Sequence, residues 1–135
     1  MATHILQFGP DPSNPPDDGT RGEGVMRGRS MAVTYYLDRW GERARRDSVT
    51  DICLYVRFHP QTDPVVDHLK RDYGSANVYH SKEFIIPRQC ERIEMWFRGV
   101  WRSPGGDVGD SWDSRYGINY WFETIEAEYS GGGVF

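Results

Sequence analysis

The stretch Glu91-Arg92-Ile93-Glu94-Met95-Trp96-Phe97-Arg98-Gly99-Val100-Trp101 decides the fold. Ile93, Met95 and Phe97 occupy alternate positions, with Glu94, Trp96 and Arg98 between them. A period of two belongs to an extended chain, in which successive side chains point to opposite faces. One face therefore meets a core and the other meets solvent. Asp51–His59 repeats the pattern, with Ile52, Leu54, Val56 and Phe58 on one side and Cys53, Tyr55 and Arg57 on the other. Ser30–Asp38 does so again through Met31, Val33, Tyr35 and Leu37.

Further out, Thr3–Phe8, Val25–Arg27, Val78–Ile86 and Tyr116–Tyr129 read as shorter or weaker strands, each bounded by Gly, Pro or polar turn residues. Residues 10–23 and the Pro-Gly-Gly-Asp stretch within Arg102–Ser111 read as loops, Arg39–Asp47 as a charged turn, and 130–135 as a loose tail. Only Asp63-Pro64, followed by Val65, Val66 and Leu69, suggests a short capped helix, with Asp at the N-cap and Pro in the first turn. Seven or so strands with turns between them and no internal repeat predict one all-β domain over 1–135, an antiparallel β-sandwich with one short inserted helix.

Composition narrows the function. Aromatic residues make up 14% of the 135 residues, which suits pleated, half-buried surfaces. A formal charge of -4 argues against a nucleic-acid partner, because such partners select basic faces. No run approaches the roughly 18 apolar residues of a membrane helix. Met1–Pro10 carries neither a basic leader nor an apolar core, so no export signal is expected and a soluble protein is. Cys53 and Cys90 are too few for a disulfide framework, although one bridge between them stays open.

The polar groups lack catalytic order. His4, His59, His68 and His80 have no metal-ligand spacing, and no Gly-x-Ser-x-Gly elbow is present. Asp107, Asp110 and Asp113 recur every third residue in a Gly-rich loop but lack the order and closing Glu of a calcium-binding EF-hand. No cofactor or metal is expected, and an enzyme is not the leading reading, although a hydrolase using this acidic loop stays open.

Trp112-Asp113-Ser114-Arg115-Tyr116-Gly117-Ile118-Asn119-Tyr120 places aromatic rings beside a carboxylate and a carboxamide. Rings of this kind cover the apolar C–H face of a sugar while short polar arms bond its hydroxyls. Trp96 should point outward from its strand, Trp40 lies in a polar turn and Trp112 in a loop, so the three are expected to share an exposed patch. Asp113 has a second reading as a turn residue that fixes local geometry.

Val33-Thr34-Tyr35-Tyr36, Asp38-Arg39-Trp40, Ile93-Glu94-Met95-Trp96-Phe97, Trp112-Asp113-Ser114 and Gly117-Ile118-Asn119-Tyr120 together resemble the starch- and glycogen-binding modules of carbohydrate-binding family twenty-one. These modules occur in glycogen-targeting phosphatase subunits and in a fungal glucoamylase. The chain also resembles small bacterial domains with a Trp-Asp-Ser-x-Tyr-Gly-x-Asn-Tyr ending. The resemblance spans roughly 31–122 and implies an immunoglobulin-like sandwich that binds an oligo- or polysaccharide. It places Trp40, Trp96, Trp112 and Asn119 at the sugar, with Ser114 where many members carry Asn; the Arg102–Ser111 loop departs from the family pattern in being longer, long enough to cover the site. The alternative is a protein-interaction or self-assembly module, such as a homo-oligomer, that uses the same tryptophans as hot spots.

Overall fold

The computed structural model describes residues 3–20, 24–41, 43–72 and 77–126. It consists of two β-sheets packed face to face. The first sheet contains β1 (His4–Phe8), β3 (Ser30–Tyr36), β6 (Lys70–Arg71), β7 (Val78–His80) and β8 (Phe84–Ile85). The second contains β2 (Val25–Met26), β4 (Val49–His59), β5 (Val65–His68), β9 (Arg92–Arg102), β10 (Val108–Asp113) and β11 (Tyr120–Ile125). Most pairs are antiparallel, but β1 runs parallel to β3 and β2 parallel to β11. No helix is long and apolar enough to cross a membrane among the described residues.

The alternation read from sequence is the alternation observed. Met31, Val33 and Tyr35 of β3, Ile52, Leu54, Val56 and Phe58 of β4, and Ile93, Met95 and Phe97 of β9 are all buried between the sheets. Leu6 and Phe8 of β1 and Tyr120 and Phe122 of β11 complete the core. Phe8 meets Phe97 and Tyr120 edge-on, with ring centroids 4.7 and 4.9 Å apart. Each fully buried side chain of this size contributes about 1.5–3 kcal/mol, and the long central strands β4 and β9 supply about a third of the core.

Three local expectations give way to tertiary packing. Val65–His68 is not a helix but an edge strand antiparallel to β4, so the inserted helix is absent. The free edge of β4 offers ladder hydrogen bonds that outweigh a local Asp-Pro signal only four residues deep. Val78–Ile86 breaks at 81–83 into β7 and β8. Val108–Ser111 of the expected Arg102–Ser111 loop belong to β10, zipped onto β9 in a hairpin, so it is not a lid. The expected strand end at Tyr129 and the 130–135 tail lie outside the described residues. Within the Arg39–Asp47 turn, Leu37–Arg39 and Arg43–Ser48 form short 3-10 turns.

Candidate functional site

The edge of β9 away from β4 is shared by two strands. β11 pairs with Arg92–Met95 and β10 with Phe97–Arg102, both antiparallel to β9. Asp113 sits opposite Phe97 and Tyr120 opposite Met95, leaving only Trp96 between them on β9. β10 and β11 are therefore one strand interrupted by the excursion 114–119.

That excursion is a tight knot of left-handed backbone. Arg115, Tyr116 and Asn119 have φ of 51°, 60° and 64°, and Gly117 has φ of 88°. Left-handed conformations cost a residue with a Cβ about 1–2 kcal/mol each, so the loop has to be held from outside. Ser114 O accepts bonds from Asn119 N at 2.7 Å and Gly117 N at 3.1 Å. Asn119 donates through Nδ2 to Glu94 Oε2 at 2.7 Å, and Trp121 Nε1 donates to Ile118 O at 2.6 Å. Asp113 turns inward and accepts hydrogen bonds from the Tyr35 hydroxyl (2.7 Å) and the Tyr120 hydroxyl. Burial and the neighbouring Asp113 carboxylate push both phenols up, Tyr35 well above its ordinary range and Tyr120 to about 12 against the opposing pull of Arg39.

Tethered in this way, the excursion exposes its outer side chains. Tyr116 is 104% exposed and Trp112, just before it, is 51% exposed. Both line a groove of about 950 Å³ whose opposite wall is the loop 12–18. The loop is clamped by Arg39, which is buried and donates to the carbonyls of Gly9 (3.2 Å), Asp11 (3.3 Å) and Asn14 (2.7 Å). Ser13, Asn14, Asp17 and Asp18 face the groove from that wall. Nothing local in the sequence announces this pairing, since a buried cation bridges segments some 25 residues apart.

The outer face of the second sheet carries a second aromatic array. Tyr55 and Trp96 stack with centroids 5.5 Å apart and planes 7° apart, and Trp112 leans on Tyr55 at 5.4 Å. Arg57 lies over Trp96 and Arg98 over Trp112. Glu94 accepts from Arg57 (3.2 Å), His59 (2.8 Å) and Asn119. Burial alone would raise its pKa, but the bonds from Asn119 and His59 and the charge of Arg57 hold it below the ordinary carboxylate value.

The sequence candidates thus separate. Trp112 and Ser114 line the groove, and Trp96 joins Trp112 through Tyr55 on the sheet face. Asn119 tethers the excursion to Glu94, whereas Asp113 accepts from two phenol hydroxyls rather than from the backbone N–H groups of a turn. Trp40 is the correction: it is completely buried, with Nε1 donating to Ser111 O at 3.1 Å and its indole lying on Gly99. Only a residue without a Cβ leaves room for that ring, so the charged turn folds inward over β9. Tyr116 and Tyr55 went unnoticed, although Tyr116 beside a Gly-containing turn and Tyr55 at an outward strand position carried the signal. Asp107, Asp110 and Asp113 do not converge, because Asp110 binds Arg98 Nε at 2.7 Å while Asp113 turns to the phenols. Cys53 and Cys90 are both free thiols. Comparison with known proteins finds no matching family model, curated protein or solved structure.

Proposed function

We propose that this chain is a non-catalytic binding module that takes an oligosaccharide in the groove between the loop 12–18 and the segment 112–116. The observation that carries this reading is the pairing of exposed Trp112 and Tyr116 rings with the polar wall of Ser13, Asn14, Asp17 and Asp18 across about 950 Å³. Rings cover C–H faces and polar arms take hydroxyls, as a sugar requires. Of the acidic groups that line the groove, Asp113, Asp17 and Asp18 serve structure and Asp38 pairs with Arg46 at 3.8 Å. Asp113 is occupied by two phenols, and Asp17 and Asp18 cap the backbone of Gly19 and Thr20 at 2.8 Å. Their engagement supports a binding role over hydrolysis.

An open groove of this kind binds weakly, with a Kd between about a millimolar and tens of micromolar, or roughly -4 to -7 kcal/mol. Titration with a panel of oligosaccharides, maltooligosaccharides first, should quench Trp fluorescence. Trp112→Ala and Tyr116→Ala should each weaken binding at least tenfold with unchanged far-ultraviolet circular dichroism. A panel without response, or full binding by both variants, removes the sugar reading. The stacked Tyr55, Trp96 and Trp112 rings interleaved with Arg57 and Arg98 favour a second reading, a protein-docking or self-association face, since Trp, Tyr and Arg dominate such surfaces. Light scattering across a concentration series tests it, with Trp96→Ala expected to abolish any assembly.

A further inference from the structure

Away from the groove, β4 and β5 bring together Asp51, Cys53 and His68. Asp51 and Cys53 are two residues apart on one strand and so share its outer face, and Cys53 lies opposite His68 in the β4–β5 register. Cys53 Sγ is 3.2 Å from Asp51 Oδ2 and 3.3 Å from His68 Nδ1, and His68 Nδ1 is 2.7 Å from Asp51 Oδ2. Among the described residues this is the one group of three such side chains whose ligating atoms converge.

The convergence distinguishes a ligand set from a catalytic relay. A Cys-His-Asp relay uses the two imidazole nitrogens separately, one facing the thiol and the other the carboxylate. Here both contacts are made by Nδ1, and Asp51 Oδ2 touches both partners as well, so three atoms point at one place. We propose that Asp51 Oδ2, Cys53 Sγ and His68 Nδ1 bind a thiophilic divalent cation of the zinc class, with the fourth position open to water.

Size agrees with this assignment. Zinc bonds of about 2.0–2.3 Å in a tetrahedron set neighbouring ligand atoms about 3.4–3.6 Å apart. The observed triangle is smaller by about 0.1–0.7 Å on each edge, a spread that rotation of the exposed His68 ring and the Asp51 carboxylate accommodates. His68 is 71% exposed at its side chain, so the fourth position faces solvent. The one cation facing the cluster from β9, Arg98, is neutralised by Asp110 of β10 at 2.7 Å, and Asp67 of β5 adds negative charge nearby. Cys53 is a thiol whose S–H donates to Asp51 Oδ2 at 3.2 Å. Binding forms the metal–sulfur bond and releases that proton to solvent, which makes the affinity rise with pH.

The test is titration of the full, reduced chain with Co²⁺ and then Zn²⁺. One equivalent of cobalt should produce a sulfur-to-cobalt charge-transfer band together with intense visible bands of a four-coordinate ion, and zinc should bleach both. His68→Ala removes an exposed ring and leaves the fold intact by circular dichroism. It should weaken cobalt binding at least tenfold, and Cys53→Ser should abolish the charge-transfer band. Cys90→Ser, altering the other thiol, should leave the spectrum unchanged. Absence of the band in the unaltered chain, its persistence in Cys53→Ser, full affinity in His68→Ala, or its loss in Cys90→Ser each overturns the assignment.

Discussion

Replacing Gly99 by alanine tests the least expected part of this fold, the burial of Trp40. A Cβ built on Gly99 would sit 2.4 Å from Trp40 Cε2 and 2.6 Å from both Cζ2 and Nε1. Carbon atoms normally pack at about 3.5–4.0 Å, so the indole would have to retreat by about 1 Å. The ring is completely buried at the back of the groove, so a retreat displaces the side chains that cover it. Overpacking of this kind costs about 1–3 kcal/mol, and breaking the Nε1 bond to Ser111 O strands a buried donor for about 1–3 kcal/mol more. The expected loss is about 2–6 kcal/mol, centred near 4. With a urea m-value of roughly 2 kcal/mol/M, the midpoint falls by about 2 M. The background then decides the cause. In Trp40→Leu the ring is gone, and Gly99→Ala should stabilise by about 0.5–1 kcal/mol, because glycine in a strand is itself costly. The measurement is urea unfolding by far-ultraviolet circular dichroism for the four proteins of this cycle. A change under about 0.5 kcal/mol in the unaltered background, or equal changes in both backgrounds, would refute the packing of Trp40 on Gly99.

The tethers of the excursion make three further predictions. Asp113→Ala leaves the Tyr35 and Tyr120 hydroxyls without their acceptor and should cost about 3 kcal/mol in chemical unfolding, since bonds to charged groups contribute about 1.5–3 kcal/mol each. The same phenols are held above their unfolded value of 10.0, so above that pH the unfolded chain has released protons that the native one retains. Stability is therefore complete below about pH 10 and falls as pH rises toward 12, with a shallower fall in Tyr120→Phe, as thermal unfolding at stepped pH will register. Asn119→Ala loses the bond to Glu94 and puts at φ of 64° a residue that tolerates the left-handed region less well than asparagine, for an expected cost of about 2–3 kcal/mol. Asn119→Gly should recover about 1 kcal/mol of that in the same assay, and in both variants a Glu94 titration followed by NMR should shift upward.

Strand identity and facing were readable because they depend on period alone. Ile93, Met95 and Phe97, or Tyr120 and Phe122, declare their face without knowledge of any partner. Trp40 was misread because its environment is set by a missing Cβ some 59 residues later, at Gly99, and its own neighbours are charged. Val65–His68 was misread for a related reason, as a vacant edge on β4 overrode a short local preference. In the candidate site, the wall at 112–116 stood out by its aromatic and polar mixture. The opposite wall did not, because the carbonyls of Gly9, Asp11 and Asn14, gripped by Arg39, and a backbone bridge between Gln7 and Asp17 bring it across. The Asp51, Cys53 and His68 cluster was hidden by the same helix reading that concealed β5.

Because β10 and β11 resume the same ladder on either side of the 114–119 excursion, the register of the sheet is indifferent to what that detour contains. Its exposed positions, Tyr116 among them, are free to drift while the strands and the Asn119 tether to Glu94 stay put. Under the proposed binding role, specificity changes through the exposed side chains of one short cassette, much as a tool head is changed on an unchanged handle.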